Sequence, residues 1–390
     1  MSEYEDPTQL FEKRFGPGVA PAVVSVPGRV NLIGEHVDYH NLPVLPMAIQ
    51  RSIRVAYRVR NDGQIRAVSE LYGDRAFEWT TQLEASAPGD WVNYVKAAAQ
   101  AIEGKWRLSF GIDAAVVSDL PPAAGLSSSS ALLVAFTLAL LRANGVEASF
   151  EDLMEVLPEG EYFVGTRGGG MDHAAVMAGR PGCALLIHFA PVSVTPVPIP
   201  KDWALLVAHS LSTAEKSGAV KAEYNSRRTA GSRALARLGF SSFAEALERH
   251  GVAGLERLAF SRIDDEVERR CFLHVVTEAA RVDQAVVALQ HADAAEFGRI
   301  LNAGHASLRD QLRISCPALD ALTEAALASG ALGARLTGGG FGGCAVVFCL
   351  AAERERVAAG LVQRYYAKLP GFDPAVHLMA ATPSAGALFA

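Results

Sequence analysis

The chain has 390 residues, 50% hydrophobic and 20% charged, with a formal net charge of −6. That length suits two or three domains, and the apolar content suits sizeable cores. The acidic balance offers no basic field for a nucleic-acid backbone and no Lys/Arg block for an anionic membrane.

The N-terminal stretch MSEYEDPTQLFEKRFGPG lacks the apolar centre of a secretory signal. The longest apolar run, residues 131–141, falls well short of the roughly twenty residues that span a bilayer. Cys183, Cys271, Cys316, Cys344 and Cys349 show no CxxC spacing. Their odd number fits reduced cytosol better than a disulfide framework or a zinc site, so a cytoplasmic protein is expected.

In chain order, residues 22–26 read as a strand that stops at Pro27-Gly28. Residues 44–49 and 53–59 read as two more strands. A helix is predicted over 91–102, a strand over 112–118, and a serine-capped helix over 127–141. Another strand covers 184–189. Pro191, Pro196, Pro198 and Pro200 follow and mark a domain boundary, which divides the chain into 1–195 and 196–390. Residues 203–208 read as a strand, and 215–329 as mainly helical. Strands at 334–336 and 345–350 flank a glycine turn, before a helix over 352–367. The class is α/β or α+β without strict βαβ alternation.

Four polar or glycine-rich segments interrupt this pattern. In LPPAAGLSSSSA, a turn leads into a helix opened by four serines. Bare amides at a helix start bind anions, and serine hydroxyls can ligate Mg²⁺. A plain serine N-cap explains the same residues. GARLTGGGFGGC satisfies GxGxxG but precedes a strand-like run, which is the wrong context for a dinucleotide fold. It reads either as a hairpin or as a ligand-facing loop. GRVNLIGEHVDYHNLP gathers Arg29, Glu35, His36 and Asp38, a set suited to sugar hydroxyls or to a solvated loop. EYFVGTRGGGMDHA places Asp172 beside bare backbone, where a carboxylate acts either as a general base or as a helix cap.

Together these segments resemble the GHMP kinase superfamily and, within it, the galactokinase family. GRVNLIGEHVDY is similar to the galactokinase N-terminal motif, GLSSSSA to the superfamily phosphate loop, and GARLTGGGFGGC to its third motif. WVNYVKA, EYNSRR, GHASLRD and SCPALD are also similar to galactokinase segments. The resemblance implies a two-lobed fold with an N-terminal ribosomal-protein-S5-domain-2-like lobe and a C-terminal ferredoxin-like α/β lobe. The active site would lie in the cleft between them.

The same resemblance implies Mg-ATP-dependent phosphorylation of the anomeric hydroxyl of galactose. Asp172 would be the catalytic carboxylate, with Arg29 beside it. Glu35, His36, Asp38, Gly169 and Tyr224 would hold the sugar. Gly125, Leu126, Ser127, Ser128 and Ser129 would wrap the ATP phosphates, and Trp91 and Tyr94 would flank the adenine. Ser129 and Glu161 would ligate Mg²⁺, with Glu159 as a competitor for the second place. The glycine turn at 338–343 would close over the sugar and phosphates. Expected partners are a small sugar and ATP, and the expected state is a monomer or weak homo-oligomer.

The chain departs from the family pattern in four places. His40, Asn41, Leu42 and Pro43 replace the usual glycines after Asp-Tyr. Ala123 and Ala124 stand where the phosphate loop usually has glycines, and His173 stands in place of Gln. Gly168-Gly169-Gly170 resembles the N-acetylgalactosamine kinase branch rather than the Cys-Gly-Ile of ordinary galactokinases. It suggests room for a bulkier group at C2 of the sugar.

Overall fold

The computed structural model describes residues 6–121, 124–165, 168–212 and 218–389. Helix α1 (Pro7–Phe15) starts at Asp6, whose carboxylate accepts from the N–H of Thr8. Strands β1 (Ala22–Ile33) and β2 (Leu45–Val59) form a long antiparallel pair. Strands β3 (Gln64–Ser69) and β4 (Gly73–Glu78), helix α2 (Val92–Glu103) and strand β5 (Ile112–Ser118) follow. The sheet order is β1-β2-β5-β3-β4, with β3 and β5 parallel.

Helices α3 (Ser128–Ala143), α4 (Phe150–Phe163) and α5 (Met171–Ala178) come next. Every residue of α3 from Ser130 to Leu141 is buried. It packs against α2, α4, β1 and β2, and a helix enclosed on all sides must be apolar all round. Strands β6 (Cys183–His188) and β7 (Ser193–Pro198) form a hairpin of their own, with β6 lying against β2.

A second sheet is built from β8 (Trp203–His209), β9 (Gly333–Leu336), β10 (Cys344–Leu350) and β11 (Leu378–Ala381), all antiparallel in the order β11-β8-β10-β9. Between β8 and β9 run α6 (Gly218–Arg237), α7 (Phe243–Arg262), α8 (Glu266–Gln290), α9 (Ala294–Ser307) and α10 (Pro317–Ala328). Helices α11 (Arg354–Arg364) and α12 (Pro374–His377) precede β11. One apolar cluster joins Val30, Ile33 and Leu45 of the first sheet to Trp203, Phe297 and Phe348 of the second lobe. The lobes therefore share a core where the cleft narrows.

Several expectations are corrected. Strand β1 does not stop at Pro27-Gly28 but passes through a register slip between Pro27 and Arg29. A bulge absorbs the missing proline N–H. It also brings the strand under the loop before α3, where a Cβ at Gly28 would lie 2.4 Å from Leu120 Cδ2. Residues 44–49 and 53–59 are one strand, not two. The division at 195/196 falls inside β7, whose Pro196 and Pro198 are tolerated because that strand has a free edge. The last residues return to the first lobe: Gly386 N donates to Gly179 O at 3.0 Å and Ala387 N to Val176 O at 2.9 Å. We propose that the lobes divide between Pro198 and Trp203, the end of β7 and the start of β8.

Candidate active site

One pocket gathers residues from both lobes. Arg29 comes from β1, and Glu35, His36 and Asp38 from the turn after it; Gly125, Ser127 and Ser129 come from the start of α3. Glu161 lies at the end of α4, Gly168–Asp172 at the start of α5, Tyr94 on α2, Tyr224 on α6, and Thr337 with Gly338, Gly339, Gly340, Gly342 and Gly343 in the glycine turn.

Asp172 sits at its centre, in the first turn of α5. Arg29 Nε donates to its Oδ1 at 2.8 Å, and Arg29 Nη2 approaches the same oxygen at 2.7 Å. Ser127 Oγ donates to Oδ2 at 2.5 Å. Burial raises the pKa of this carboxyl, but Arg29 and the Ser127 hydroxyl more than offset it and hold it below its ordinary value. Arg29 is itself 3% exposed and donates through Nη1 to Gly125 O at 2.7 Å. A single guanidinium thus ties the carboxylate to the loop expected to hold phosphate.

The two plain cap readings fail. Ser127 precedes α3 at φ 58° and makes no side-chain cap, because its hydroxyl is given to Asp172. Asp172 is not a cap either, since Gly170 holds that position at φ 99°.

On one side of Asp172 lie buried polar groups. Asp38 Oδ2 accepts the N–H groups of Gly169 at 3.1 Å and Met171 at 3.4 Å. Burial, and then repulsion from Asp172, push its carboxyl up to about 6. Glu35 accepts from Gly338 N at 3.1 Å. His36 adopts φ 60°, and its Nδ1 lies 2.9 Å from Tyr39 Oη. Burial pushes its pKa down to about 3, so its imidazole is neutral. Tyr224 packs on it with ring centroids 4.7 Å apart. Gly169, expected to offer its backbone to the sugar, gives its N–H to Asp38 instead. A Cβ there would lie 2.3 Å from Asp38 C and from Tyr39 N, which explains the glycine.

On the other side the wall is mostly main chain. Gly125 has φ 77°, and Gly338, facing it, has φ 83°. A Cβ at Gly338 would come within 2.8 Å of Gly125 O, and one at Gly343 within 3.1 Å of Ala124 O. The third glycine motif therefore connects the antiparallel pair β9 and β10 and lines the pocket, laid directly on the loop before α3. Ala124 is accommodated there, buried; Ala123 lies outside the described residues. Among the expected phosphate residues, Leu126 and Ser128 do not line the pocket. Leu126 is buried, and its carbonyl accepts from Arg29 N at 3.1 Å.

Glu161 faces the pocket, whereas Glu159 is exposed on the surface. Glu161 Oε1 accepts from Ser130 Oγ at 2.7 Å. Its Oε2 lies only 3.2 Å from where a Cβ on Gly168 would stand. A glycine at 168 thus leaves room around a hard oxygen donor in the pocket that Ser129 also lines. Among the described residues no group of three or more His, Cys, Asp or Glu forms a metal site alone. Such a pair suits Mg²⁺, which is commonly held by one or two protein oxygens together with substrate phosphates.

One other expected residue does not line the pocket. Trp91 is 7% exposed and belongs to the core rather than to the pocket lining, which Tyr94 does reach. His40 turns away from the site and packs on Phe243, with ring centroids 4.6 Å apart.

Four residues that the motifs did not single out complete the site. Thr337 Oγ1 accepts from Asn31 N at 2.9 Å and stitches β1 to the end of β9. Asn225 lines the pocket. Arg335 and Glu278 are buried behind Glu35. A charged residue inside an apolar strand, as in GARL, is the signal that points to Arg335.

Comparison with known proteins agrees with this geometry. Residues 9–59 match the galactokinase galactose-binding signature, 93–180 the GHMP kinases N terminal domain, and 285–368 the GHMP kinases C terminal region. A galactokinase of Streptomyces coelicolor is 36% identical over 370 residues, covering 94% of this chain and 93% of its own. One of Chloroflexus aurantiacus is 35% identical, covering 91% and 90%. The crystal structure of Lactococcus lactis galactokinase complexed with galactose superposes with a TM-score of 0.86 at 26% identity, covering 97% of both chains. Mevalonate kinase of L. major, at 21% identity and a TM-score of 0.60, shares the fold alone over 94% of this chain and 97% of its own. With its ion-paired aspartate between two glycine-rich loops and this likeness along nearly all its length, the chain belongs to the galactokinase family of GHMP kinases.

Proposed function

We propose that this protein transfers the terminal phosphoryl group of Mg-ATP to the anomeric hydroxyl of galactose, giving galactose 1-phosphate and ADP. The observation that carries the reading is Asp172, held ionised by Arg29 and Ser127 between the sugar-facing and phosphate-facing walls. In this reading Asp172 accepts a hydrogen bond from the attacking hydroxyl and takes its proton as the bond to phosphorus forms. An ionised aspartate is a weak base for a sugar hydroxyl, so most of the rate comes from alignment and charge neutralisation. Arg29 supplies that neutralisation on the phosphoryl side.

The start of α3 and the glycine turn hold the phosphates through amide donors, and Tyr94 lies toward the adenine. Glu161 and Ser129 would hold Mg²⁺ jointly with the nucleotide, and the cation would neutralise phosphate charge there. Glu35, Asp38, His36 and Tyr224 hold the sugar.

Galactose is favoured over N-acetylgalactosamine by where the glycine triplet points. A Cβ at Gly168 would face Glu161. One at Gly170 would face Met154 Cε at 3.0 Å and Pro158 Cγ at 3.3 Å. Neither vector meets Asp38 or Arg29, so the two missing side chains do not widen the sugar wall. The test is ADP release with galactose, N-acetylgalactosamine, galactosamine, glucose and mevalonate in turn. Turnover highest with galactose is expected. Turnover with mevalonate alone, or with no sugar, would overturn the reading, and a preference for N-acetylgalactosamine would overturn the choice of substrate.

A further inference from the structure

Behind the sugar wall lies a set of buried charges that the proposed reaction does not use. Arg335 on β9 is 0% exposed. Its Nη2 lies 2.6 Å from Glu35 Oε2 and donates to Glu278 Oε1 at 3.1 Å, while Nη1 donates to Leu32 O at 2.7 Å. Glu278 on α8 reaches back to the same turn, and its Oε1 accepts from Gly34 N at 2.9 Å and from Glu35 N at 3.3 Å. Its Oε2 accepts from Arg281 Nε at 2.7 Å. His274, also on α8, places Nε2 3.0 Å from Glu35 O.

We propose that Arg335 is a positioning residue for the sugar: together with Glu278 it aims the Glu35 carboxylate into the pocket and tunes its charge. The inference rests on the reading that Glu35 faces the sugar.

Two carboxylates and two guanidiniums form a neutral set, which well-packed apolar residues replace without loss of stability in other proteins. What apolar residues cannot supply is a carboxylate fixed at both ends. Glu35 has its main chain held by α8, one oxygen on Arg335 and the other on Gly338 N. Its remaining lone pairs are thereby set in direction before any sugar arrives, and such preorganisation lowers the cost of binding.

The charge of Glu35 follows from its neighbours. Burial raises its carboxyl most, Arg335 lowers it, Glu278 raises it again, and the Gly338 amide and Arg29 lower it, which together leave it raised to about 7. Arg281 and His274 face the pair from α8, and on α9 His305 feels the charge of Arg335. As pH falls through about 7, Glu35 takes a proton, loses acceptor strength and loosens from Arg335. Sugar affinity therefore declines on the acid side.

The test is calorimetric titration with galactose between about pH 5 and pH 9, a window that brackets the carboxylate and imidazole ranges. It compares wild type with Arg335→Lys, Arg335→Met and Glu278→Gln. Arg335→Lys keeps the charge but not the fork, so affinity falls by about tenfold at the alkaline end, the size expected for a charged hydrogen bond. In turnover, KM for galactose rises by the same factor, while kcat and KM for ATP stay unchanged. Glu278→Gln removes the repelling charge and moves the acid midpoint down; Arg335→Met removes the attracting charge and moves it up. If Arg335→Met does not fold, the other two variants carry the test. Unchanged galactose affinity in Arg335→Lys, or midpoints that do not separate, overturns the inference while the kinase reading stands. Wild-type protein that neither binds nor turns over galactose overturns that reading instead.

Discussion

On the side of the cleft that we assign to phosphate, the wall is main chain. Gly125, Gly338, Gly340 and Gly343 all have positive φ, and the two loops approach so closely that a single added carbon would touch a carbonyl. On the side that we assign to the sugar, the wall is charge on side chains, with Glu35 and Asp38 both almost fully buried. The contrast follows from the ligands. A phosphate chain brings its own charge and needs amide donors within reach. A neutral sugar brings hydroxyls and needs strong acceptors, which must be desolvated in advance. One wall is therefore sensitive to added volume, and the other to protons and lost charge.

Asp172 joins the two walls, so its loss has the largest effect. Asp172→Asn is expected to lower kcat by about a thousandfold, within the usual range for a positioned proton acceptor. Steady-state rates, with separate galactose and ATP titrations showing retained binding, check this. Next comes Arg29→Met, expected to lower kcat by about a hundredfold, the scale seen when a transition-state donor is removed. Arg29→Lys should rescue little, because Nε, Nη1 and Nη2 all make contacts.

Two changes of about tenfold then separate the walls. Gly343→Ala combines φ 84° with a contact of 3.1 Å to Ala124 O. It should raise KM for ATP by about tenfold, as strain of 1–3 kcal/mol implies, and leave galactose binding alone. Asp38→Asn should do the reverse, weakening galactose by about tenfold while raising thermal stability at neutral pH. The sign follows from a native pKa of about 6, above its reference value of 3.8. Ionised Asp38 costs the folded state free energy, fully above pH 6 and not at all below the reference value. Melting curves against pH should show wild type approaching the variant's stability as pH falls across that window.

The smallest effect is expected at Gly168. Gly168→Ala should leave the galactose to N-acetylgalactosamine ratio within about twofold, since the added carbon points at Glu161 and not at Asp38 or Arg29. Its dependence on Mg²⁺ concentration should shift, because the new carbon meets Glu161.

The same contrast governs what could be read from the sequence. Glycine-rich loops and the Arg29–Asp38 segment are local patterns, so the segments that meet in the pocket were legible, and the motif order gave the family. Strands such as β5 and β8 were legible because they are short, mostly apolar runs. Strand β1 was cut at Pro27 because a bulge depends on what lies underneath, here Leu120 and Leu126. Strand β4 was missed because Gly73–Glu78 is mostly exposed and carries little apolar pattern. Arg335 and Glu278 were missed because they act on Glu35 from far along the chain. Trp91 was assigned to adenine by resemblance, yet packing placed it in the core. Room at Gly168 and Gly170 could be counted in the sequence, but its direction needed coordinates.

The most direct test of the account is the structure of the product. Protein, Mg-ATP and galactose are combined, and the sugar phosphate is examined by phosphorus–proton NMR, alongside Asp172→Asn. The account predicts coupling of phosphorus to the anomeric proton, and product formed about a thousandfold more slowly by the variant although it still binds galactose and ATP. Phosphate on any other carbon, no sugar phosphate from wild type, or normal turnover by Asp172→Asn would contradict it.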